Sequence, residues 1–204
     1  MARRGQEDAY YHRAKREGYV ARSVYKLMEM DRRWRLLRRG QRVLDLGCHP
    51  GSWLQWISRR VGPRGLVVGV DLKPPVMALP GNARFVAGDL LSLEAERLRA
   101  LAPGYHLVLS DAAPATTGVV LRDVAASLEL AERVLDLALA LLSPGGGLVV
   151  KVYYGEGAEE LVRRVKAAFR QGRTFRPRAT RGGSRETYLV GLGLKPTPKR
   201  GSRV

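Results

Sequence analysis

The sequence predicts an α/β fold of Rossmann-like type, in which a mostly parallel seven-stranded sheet carries helices on both faces. Short apolar runs alternate with segments of helical periodicity along most of the chain, and this alternation is typical of a parallel sheet. Two late segments, at 174–178 and 186–193, are expected to be strands and have no helix between them. Such a connection implies a hairpin, so one strand of the sheet is expected to run antiparallel.

The other elements follow at regular intervals along the chain. The longest helix is expected at 123–142, because leucine and alanine recur there at helical spacing and a Ser-Pro-Gly-Gly-Gly segment follows. An earlier helix is expected to begin after Ser23, which would act as its N-cap. The remaining strands are expected near 42–46, 66–71, 84–87, 106–110 and 147–152, and the remaining helices near 52–60, 91–101 and 157–170.

The length and the distribution of charge predict one folded domain with basic ends. A chain of 204 residues can bury a substantial core as a single domain. We expect a basic, flexible N-terminal arm over 1–18, the folded domain over 19–194, and a basic, disordered tail over 195–204.

The net charge is the outlying feature of the composition. Thirty-six basic and 19 acidic residues give a formal charge of +17, and most of the basic residues are arginine. Because guanidinium groups bind phosphate bidentately and stack on bases, this excess favours nucleic acid over a lipid surface as the partner. The expected contacts to a nucleic-acid backbone are arginines near the end of the first predicted helix and after it, with a solvated helix face as the alternative: Arg32, Arg33, Arg38 and Arg39.

Other compositional features exclude several classes of protein. One cysteine cannot form an internal disulfide and is typical of a reducing compartment. The chain has no apolar run of about 20 residues and no signal-peptide pattern at its start, so we expect a cytoplasmic protein without a membrane span. The spacing of Cys48, His49 and the other histidines does not suit a metal site. We therefore expect no bound metal, and we also expect a monomer.

A nucleotide-type binding motif spans residues 43–71, where a strand, a glycine turn, a helix and a second strand end on Asp71. Gly47 and Gly51 allow a sharp turn and a close approach of the backbone to a ligand. Asp71 follows Gly51 by 20 positions, where a carboxylate can accept both hydroxyls of a ribose. The glycine spacing disfavours a dinucleotide, and D-L-G-x-x-P-G instead resembles the S-adenosylmethionine (SAM) loop of class I methyltransferases. A βαβ unit without a ligand is the alternative.

Further candidate residues follow from the rule that ligands of such sheets bind outside the carboxyl ends of the strands. Asp89 would accept a hydrogen bond from the adenine, or would cap the next helix instead. Lys151 ends a strongly apolar strand, where a buried lysine is costly unless it is paired. Its amine would snorkel to solvent, form a structural ion pair with Asp111, or lie at the reaction centre facing Asp111.

Seven segments, in order, resemble the FtsJ/RrmJ family of SAM-dependent ribosomal RNA 2′-O-ribose methyltransferases. The resemblance covers roughly residues 18–194 and implies the class I SAM-dependent methyltransferase fold. The matching segments are RSVYKL at 22–27, DLGCHPGSW at 45–53, VDLKP at 70–74, GDL at 88–90, SDAAP at 110–114, KVYYGEG at 151–157 and SRETYLV at 184–190.

The resemblance also implies which residues act. The family's Lys-Asp-Lys-Glu tetrad falls on Lys26, Asp111, Lys151 and Glu186. Cys48, His49 and Ser52 are departures, since the family's glycine loop commonly has small residues there. The residues implied to bind SAM are Gly47, Gly51, Ser52, Trp53, Asp71, Asp89 and Asp111.

The implied reaction is transfer of a methyl group from SAM to a ribose 2′-hydroxyl, most specifically of a uridine in large-subunit (23S) ribosomal RNA. Ribosomal RNA or the large ribosomal subunit is therefore the expected partner. Either Lys151 is the base, or it orients the hydroxyl while Asp111 finally accepts the proton. The alternatives are 2′-O-methylation of tRNA, or a non-catalytic RNA-binding ribosome assembly factor on the same fold.

Overall fold

The computed structural model describes residues 2–196, with side chains described from residue 9 onward. The strands are β1 (Arg42–Leu46), β2 (Leu66–Asp71), β3 (Ala83–Ala87), β4 (Tyr105–Ser110), β5 (Leu142–Tyr153), β6 (Phe169–Phe175) and β7 (Glu186–Leu194). The helices are α1 (Ala2–Arg16), α2 (Val24–Trp34), α3 (Ser52–Val61), α4 (Ala95–Arg99), α5 (Val120–Leu141) and α6 (Ala158–Ala168).

The sheet has the order β3-β2-β1-β4-β5-β7-β6. β7 pairs antiparallel with both β5 and β6, whereas the pairs among β1 to β5 are parallel, which confirms the predicted fold class. The chain progresses outward from β1 to β3 and then returns to β4 on the other side of β1. This switch opens a crevice at the carboxyl ends of β1 and β4, where open α/β sheets bind ligands.

Two apolar layers cover the faces of the sheet. Leu44 and Leu46 of β1 point to the face that packs against α4, α5 and α6, where Leu135 is fully buried. Val43 points to the opposite face, which packs against α2 and α3 through residues such as Leu27. The alternation along β1 reflects the two-residue period of a strand whose two faces are both covered.

The N-terminal segment differs from the expectation of a flexible arm, because the structure forms α1 there. The Tyr10 ring lies 5.4 Å from the Tyr25 ring, and the Arg13 guanidinium lies 4.7 Å from the centroid of the same ring. Ala14 is buried beside Tyr19 and Tyr25. The surrounding charges obscure this small apolar stripe, so the sequence pattern did not indicate a helix.

Other element boundaries also required correction. Ser23 precedes α2, but its hydroxyl makes no cap bond and instead lies 2.9 Å from the Ser52 hydroxyl. α4 is shorter than the predicted helix, because Asp89 Oδ1 accepts from Leu91 N at 3.0 Å and starts a turn there. β6 begins at Phe169, before the predicted strand.

The chain ends are only partly described. The predicted disordered tail lies outside the described residues from position 197 onward. Lys195, which begins that predicted tail, donates from Nζ to the main-chain oxygen of Ala167 at 2.8 Å. Within residues 2–196, no helix combines the length and the apolar character needed to cross a bilayer.

Candidate active site

The glycine turn after β1 approaches the loop after β4 more closely than any other residue type would allow. Gly47 has a φ of +79°, and a Cβ built on it would lie 2.5 Å from the Cβ of Ala112. Both the positive φ and this contact require glycine at the position. The two loops thus meet at the switch point of the sheet.

A cavity of about 460 Å³, here called the strand-end cavity, lies at this switch point. Its volume suits a ligand of nucleoside size. Four of the predicted cofactor residues line it, namely Gly47, Asp71, Asp89 and Asp111. His49, Leu72, Leu91 and the α5 residues Ala126, Glu129 and Leu130 also contribute to its walls.

Main-chain donors orient the Asp71 carboxylate at the edge of this cavity. Oδ2 accepts from His49 N at 2.9 Å, and Oδ1 accepts from Lys73 N at 3.1 Å. The His49 ring lies with Nδ1 3.0 Å from the Pro74 main-chain oxygen, so Nδ1 carries the proton. His49 therefore connects the glycine turn to the segment that follows β2.

The structure brings the four predicted tetrad residues into one cluster. Lys26 Nζ lies 2.9 Å from Glu186 Oε2 and 3.9 Å from Asp111 Oδ1. Lys151 Nζ lies 3.1 Å from Asp111 Oδ1 and 3.8 Å from Glu186 Oε1. Lys26 and Lys151 are 8% and 6% exposed, so each ammonium is largely removed from water. The two lysines and two carboxylates compensate each other in charge.

Asp111 is held as a carboxylate despite its burial. Burial alone raises its pKa, but the ammonium groups of Lys151 and Lys26 and a hydrogen bond from Tyr188 outweigh burial and lower the pKa. The Tyr188 hydroxyl donates to Asp111 Oδ1 at 2.6 Å. Burial, followed by the charge of Asp111, raises the pKa of Tyr188 well above its ordinary value, so this hydroxyl remains a donor.

A second cavity, of about 430 Å³, lies on the other side of the cluster and is lined by Lys26, Glu186, Tyr153, Arg22 and Arg181. Arg22 and Arg181 also line a neighbouring cavity of about 300 Å³, together with Tyr10 and the segment 176–183. We call these two adjoining cavities the basic groove. The tetrad lies between the groove and the strand-end cavity, because Asp111 lines the strand-end cavity while Lys26 and Glu186 line the groove.

Comparisons with known proteins agree with this geometry. A family model described as FtsJ-like methyltransferase matches residues 19–194. The chain belongs to this family. Its family membership makes it a methyltransferase. Its sheet with one antiparallel strand is the fold that the resemblance to this family predicted.

Named relatives and a solved structure share most of the chain. It is 45% identical over 188 residues to a protein of Desulfatibacillum aliphaticivorans named ribosomal RNA large subunit methyltransferase E, covering 92% of this chain and 91% of that protein. It is 47% identical over 194 residues to the protein of that name from Sorangium cellulosum, covering 95% and 91%. A Plasmodium falciparum structure solved under the description of a ribosomal RNA methyltransferase superposes with a TM-score of 0.77 at 28% identity, covering 88% and 100%.

Three of the residues predicted to bind the cofactor, Gly51, Ser52 and Trp53, do not line the strand-end cavity. A Cβ on Gly51 would face Pro75 at 3.1 Å. The hydroxyl of Ser52 meets that of Ser23, and Trp53 Nε1 donates to the Ser23 main-chain oxygen at 3.0 Å. Ser52 and Trp53 therefore connect α3 to the start of α2, the helix that carries Lys26.

The predicted RNA-contacting arginines lie apart from the tetrad. The Arg33 guanidinium lies over the Trp34 and Phe175 rings, at 5.3 and 5.4 Å from their centroids. Arg38 and Arg39 precede β1, and Arg38 lines a cavity with residues that begin β4, at the amino ends of the parallel strands. This edge of the sheet is opposite to the edge that carries the tetrad.

Sequence reasoning missed several residues at the site. Arg22 and Arg181 come from loops far apart in the chain, and no local pattern marks them as neighbours. Tyr188 stands within a matched segment, but its bond to Asp111 follows only from the pairing of β7 with β5. Among the described residues, no cluster of three or more His, Cys, Asp or Glu side chains could hold a metal ion.

Proposed function

We propose that the protein transfers the methyl group of SAM to a ribose 2′-hydroxyl of RNA. The observation that carries the proposal is the position of the tetrad between two cavities of different charge. Asp111 faces the strand-end cavity, where acidic side chains prevail, and Lys26 and Glu186 face the basic groove. A methyl donor in the strand-end cavity and a polyanion in the basic groove would thus meet at the tetrad.

The residues of the strand-end cavity fit SAM. When bound, SAM supplies an electrophilic methyl group on a positively charged sulfur. Asp71, oriented by two main-chain donors, would accept the ribose hydroxyls, and Asp89 would accept from the adenine amino group. Asp111 would face the methionine side, and the bare backbone at Gly47 permits close approach.

Lys151 is the residue that would receive the proton of the 2′-hydroxyl. It can act as a base only in its neutral form, and it then needs a fixed position relative to the hydroxyl. Its Nζ donates to the Asp111 main-chain oxygen at 2.6 Å, which fixes that position. Asp111 and Glu186 would stabilise the ammonium that forms, and Lys26 would hold Glu186 in place.

The alternative, in which Asp111 is the final proton acceptor, is less well supported. The lysines lower the pKa of Asp111, and a carboxylate with a lowered pKa is a poor base near neutral pH. Lys151 as base is therefore the reading that we propose.

We propose large-subunit ribosomal RNA, at a uridine, as the substrate. The relatives are named as large-subunit rRNA methyltransferases, and the groove next to the tetrad carries Arg22 and Arg181, which can bind phosphate. In this proposal the enzyme acts as a cytoplasmic monomer without a metal. A purely non-catalytic assembly factor would gain nothing from burying Lys151 and Asp111, since a buried ion pair is costly to desolvate.

The proposal is tested by methyl transfer from labelled SAM to large ribosomal subunits of a methylation-deficient strain, with tRNA and naked total RNA in parallel. Sites are mapped by alkaline cleavage, which 2′-O-methylation blocks. Protection of one ribose in the large subunit supports the proposal. Label in a base, or label only in tRNA, contradicts the reaction or the substrate respectively.

A further inference from the structure

Glu129 of α5 lines the strand-end cavity without any hydrogen bond or ion pair to another described residue. Arg133, four positions along the helix, is the basic side chain expected to pair with it. Its guanidinium instead donates to the main-chain oxygens of Leu90 at 3.3 Å and Leu93 at 2.6 Å. Arg133 thus holds the segment after Asp89 and leaves the Glu129 carboxylate uncompensated.

The charge of this cavity contrasts with that of the whole chain. The chain carries a formal charge of +17, yet the described residues that line the cavity include four acidic side chains and no lysine or arginine. Asp111 is balanced by two lysines, and main-chain donors hold Asp71 and Asp89. Glu129 is the carboxylate of this set that has neither kind of partner among the described residues.

The two forms of the proposed donor differ by one unit of charge. SAM carries a sulfonium, a carboxylate and an ammonium, so its net charge is +1 near neutral pH. S-adenosylhomocysteine, the product, lacks the sulfonium charge and is neutral overall. A carboxylate without a partner at the wall of the cavity therefore attracts SAM more strongly than S-adenosylhomocysteine.

We propose that Glu129 is a specificity-determining residue that favours the cationic donor over the neutral product. This inference rests on the proposed function, since it assumes that SAM occupies the strand-end cavity. The glutamate side chain is exposed at the cavity wall, so water and salt moderate its effect. This preference would help a new SAM molecule to replace S-adenosylhomocysteine after each reaction.

The test compares Glu129→Gln with Glu132→Gln by isothermal titration calorimetry. Glu132 lies three positions further along α5 and does not line the cavity, so it controls for loss of one negative charge from the helix. The ligands are SAM, S-adenosylhomocysteine and sinefungin, whose ammonium replaces the methylated sulfur. For Glu129→Gln we expect Kd to rise about threefold to fivefold for both cationic ligands. The value for S-adenosylhomocysteine should stay nearly unchanged, and all three should stay nearly unchanged in Glu132→Gln.

Other results would overturn the inference. Equal weakening of all three ligands would mean that Glu129 contacts a part that they share. Weakening for SAM without weakening for sinefungin would mean that it senses the methyl group rather than the charge. No change would mean that it has no role. If the wild-type protein binds none of the three ligands, the proposed donor itself is wrong, and this inference falls with it.

Discussion

Lys151 contacts Asp111 twice, through a 2.6 Å hydrogen bond to its main-chain oxygen and a 3.1 Å ion pair with its Oδ1. This relationship follows from the sheet, because β4 and β5 are parallel neighbours in which Ser110 lies opposite Val150. The next position of each strand therefore brings Asp111 beside Lys151. The register of these two strands thus places the Lys151 amine beside Asp111, which lines the strand-end cavity.

The glycine turn gives a test of the strand-end cavity. Gly47→Ala should weaken SAM binding by at least about tenfold, because its Cβ would collide with Ala112 and displace one wall. Gly40→Ala is the matched control, since Gly40 has a similar φ of +78° but open space around its Cβ. Calorimetric titration with SAM measures both. Equal losses in the two variants would mean that backbone strain, not the contact with Ala112, is responsible.

The hydrogen bond from Tyr188 to Asp111 gives a pH prediction. This bond lowers the pKa of Asp111, so Tyr188→Phe should raise it. A carboxylate with a lowered pKa stabilises the fold above its unfolded pKa and loses that contribution as the pH falls through the folded value. In Tyr188→Phe this loss should be smaller and should end at a higher pH, because the folded pKa then lies closer to the unfolded pKa.

The same substitution should cost about 2 kcal/mol of stability near neutral pH, as expected for a hydrogen bond to a charged group. Urea unfolding measures this, with the exposed Tyr154→Phe as control. Urea unfolding from about pH 5 to about pH 2 tests the pH prediction. An equal loss of stability in both proteins over that range would show that the bond does not lower the pKa of Asp111.

Asp45 in β1 gives an independent prediction of stability against pH. It is fully buried, and neither carboxylate oxygen has a hydrogen-bond partner among the described residues. Burial, with the charges of Asp111 and Asp71 added, raises its pKa well above the ordinary value of 3.8. The folded state therefore favours the neutral form. The protein loses stability as the pH rises above the pKa that Asp45 has in the unfolded chain.

Asp45→Asn cannot ionise, so its free energy of unfolding relative to the wild type should increase steadily from about pH 4 to about pH 7. Urea unfolding across that range measures the difference. Parallel curves for the two proteins would show that Asp45 does not change protonation on unfolding.

The basic groove and the opposite edge of the sheet can be separated by paired arginine variants. Arg178 and Arg181 line the groove, whereas Arg38 and Arg39 lie near the amino ends of the strands. Loss of Arg178 and Arg181 together should weaken RNA binding about tenfold and reduce its dependence on salt, because fewer phosphates are neutralised.

Methylation should fall in this groove variant, since the contacts adjoin the tetrad. The matched double variant at Arg38 and Arg39 should leave methylation of bound RNA unchanged, even if it lowers affinity. Binding is followed by filter retention at several salt concentrations. A methylation defect confined to the Arg38 and Arg39 variant would contradict the assignment of the groove.

The sheet could be predicted from local signals, and so could the pairing of Lys151 with Asp111, whereas Lys26 and Glu186 were expected only from the resemblance to the family. Buried strands read as continuous apolar runs, and Lys151 stands out as a lysine at the end of one of them. Because the strands are parallel, the residues at their carboxyl ends lie at the same edge of the sheet. An antiparallel strand was also predicted, because no helix separates the last two strands, and the structure shows that it is β7.

The features that the sequence did not predict depend on contacts between segments that are distant in the chain. Ser23 fits the local rule for an N-cap, but its tertiary contact with Ser52 prevails over that rule. The basic groove is built from Arg22 and from the loop between β6 and β7, and charge counting cannot choose these arginines among the many in the chain. No local pattern marks Glu129, because its place at the cavity wall depends on how α5 packs against the sheet.

The most direct test of the central claim is methyl transfer to large ribosomal subunits by Lys151→Ala, with SAM binding measured on the same preparation. Lys166→Ala, at an exposed position of α6, is the control. We predict that Lys151→Ala binds SAM within about twofold of the wild type and loses methyl transfer by at least about a hundredfold, the usual range for a removed general base. Near-normal methyl transfer by Lys151→Ala would contradict the assignment of Lys151 as the base.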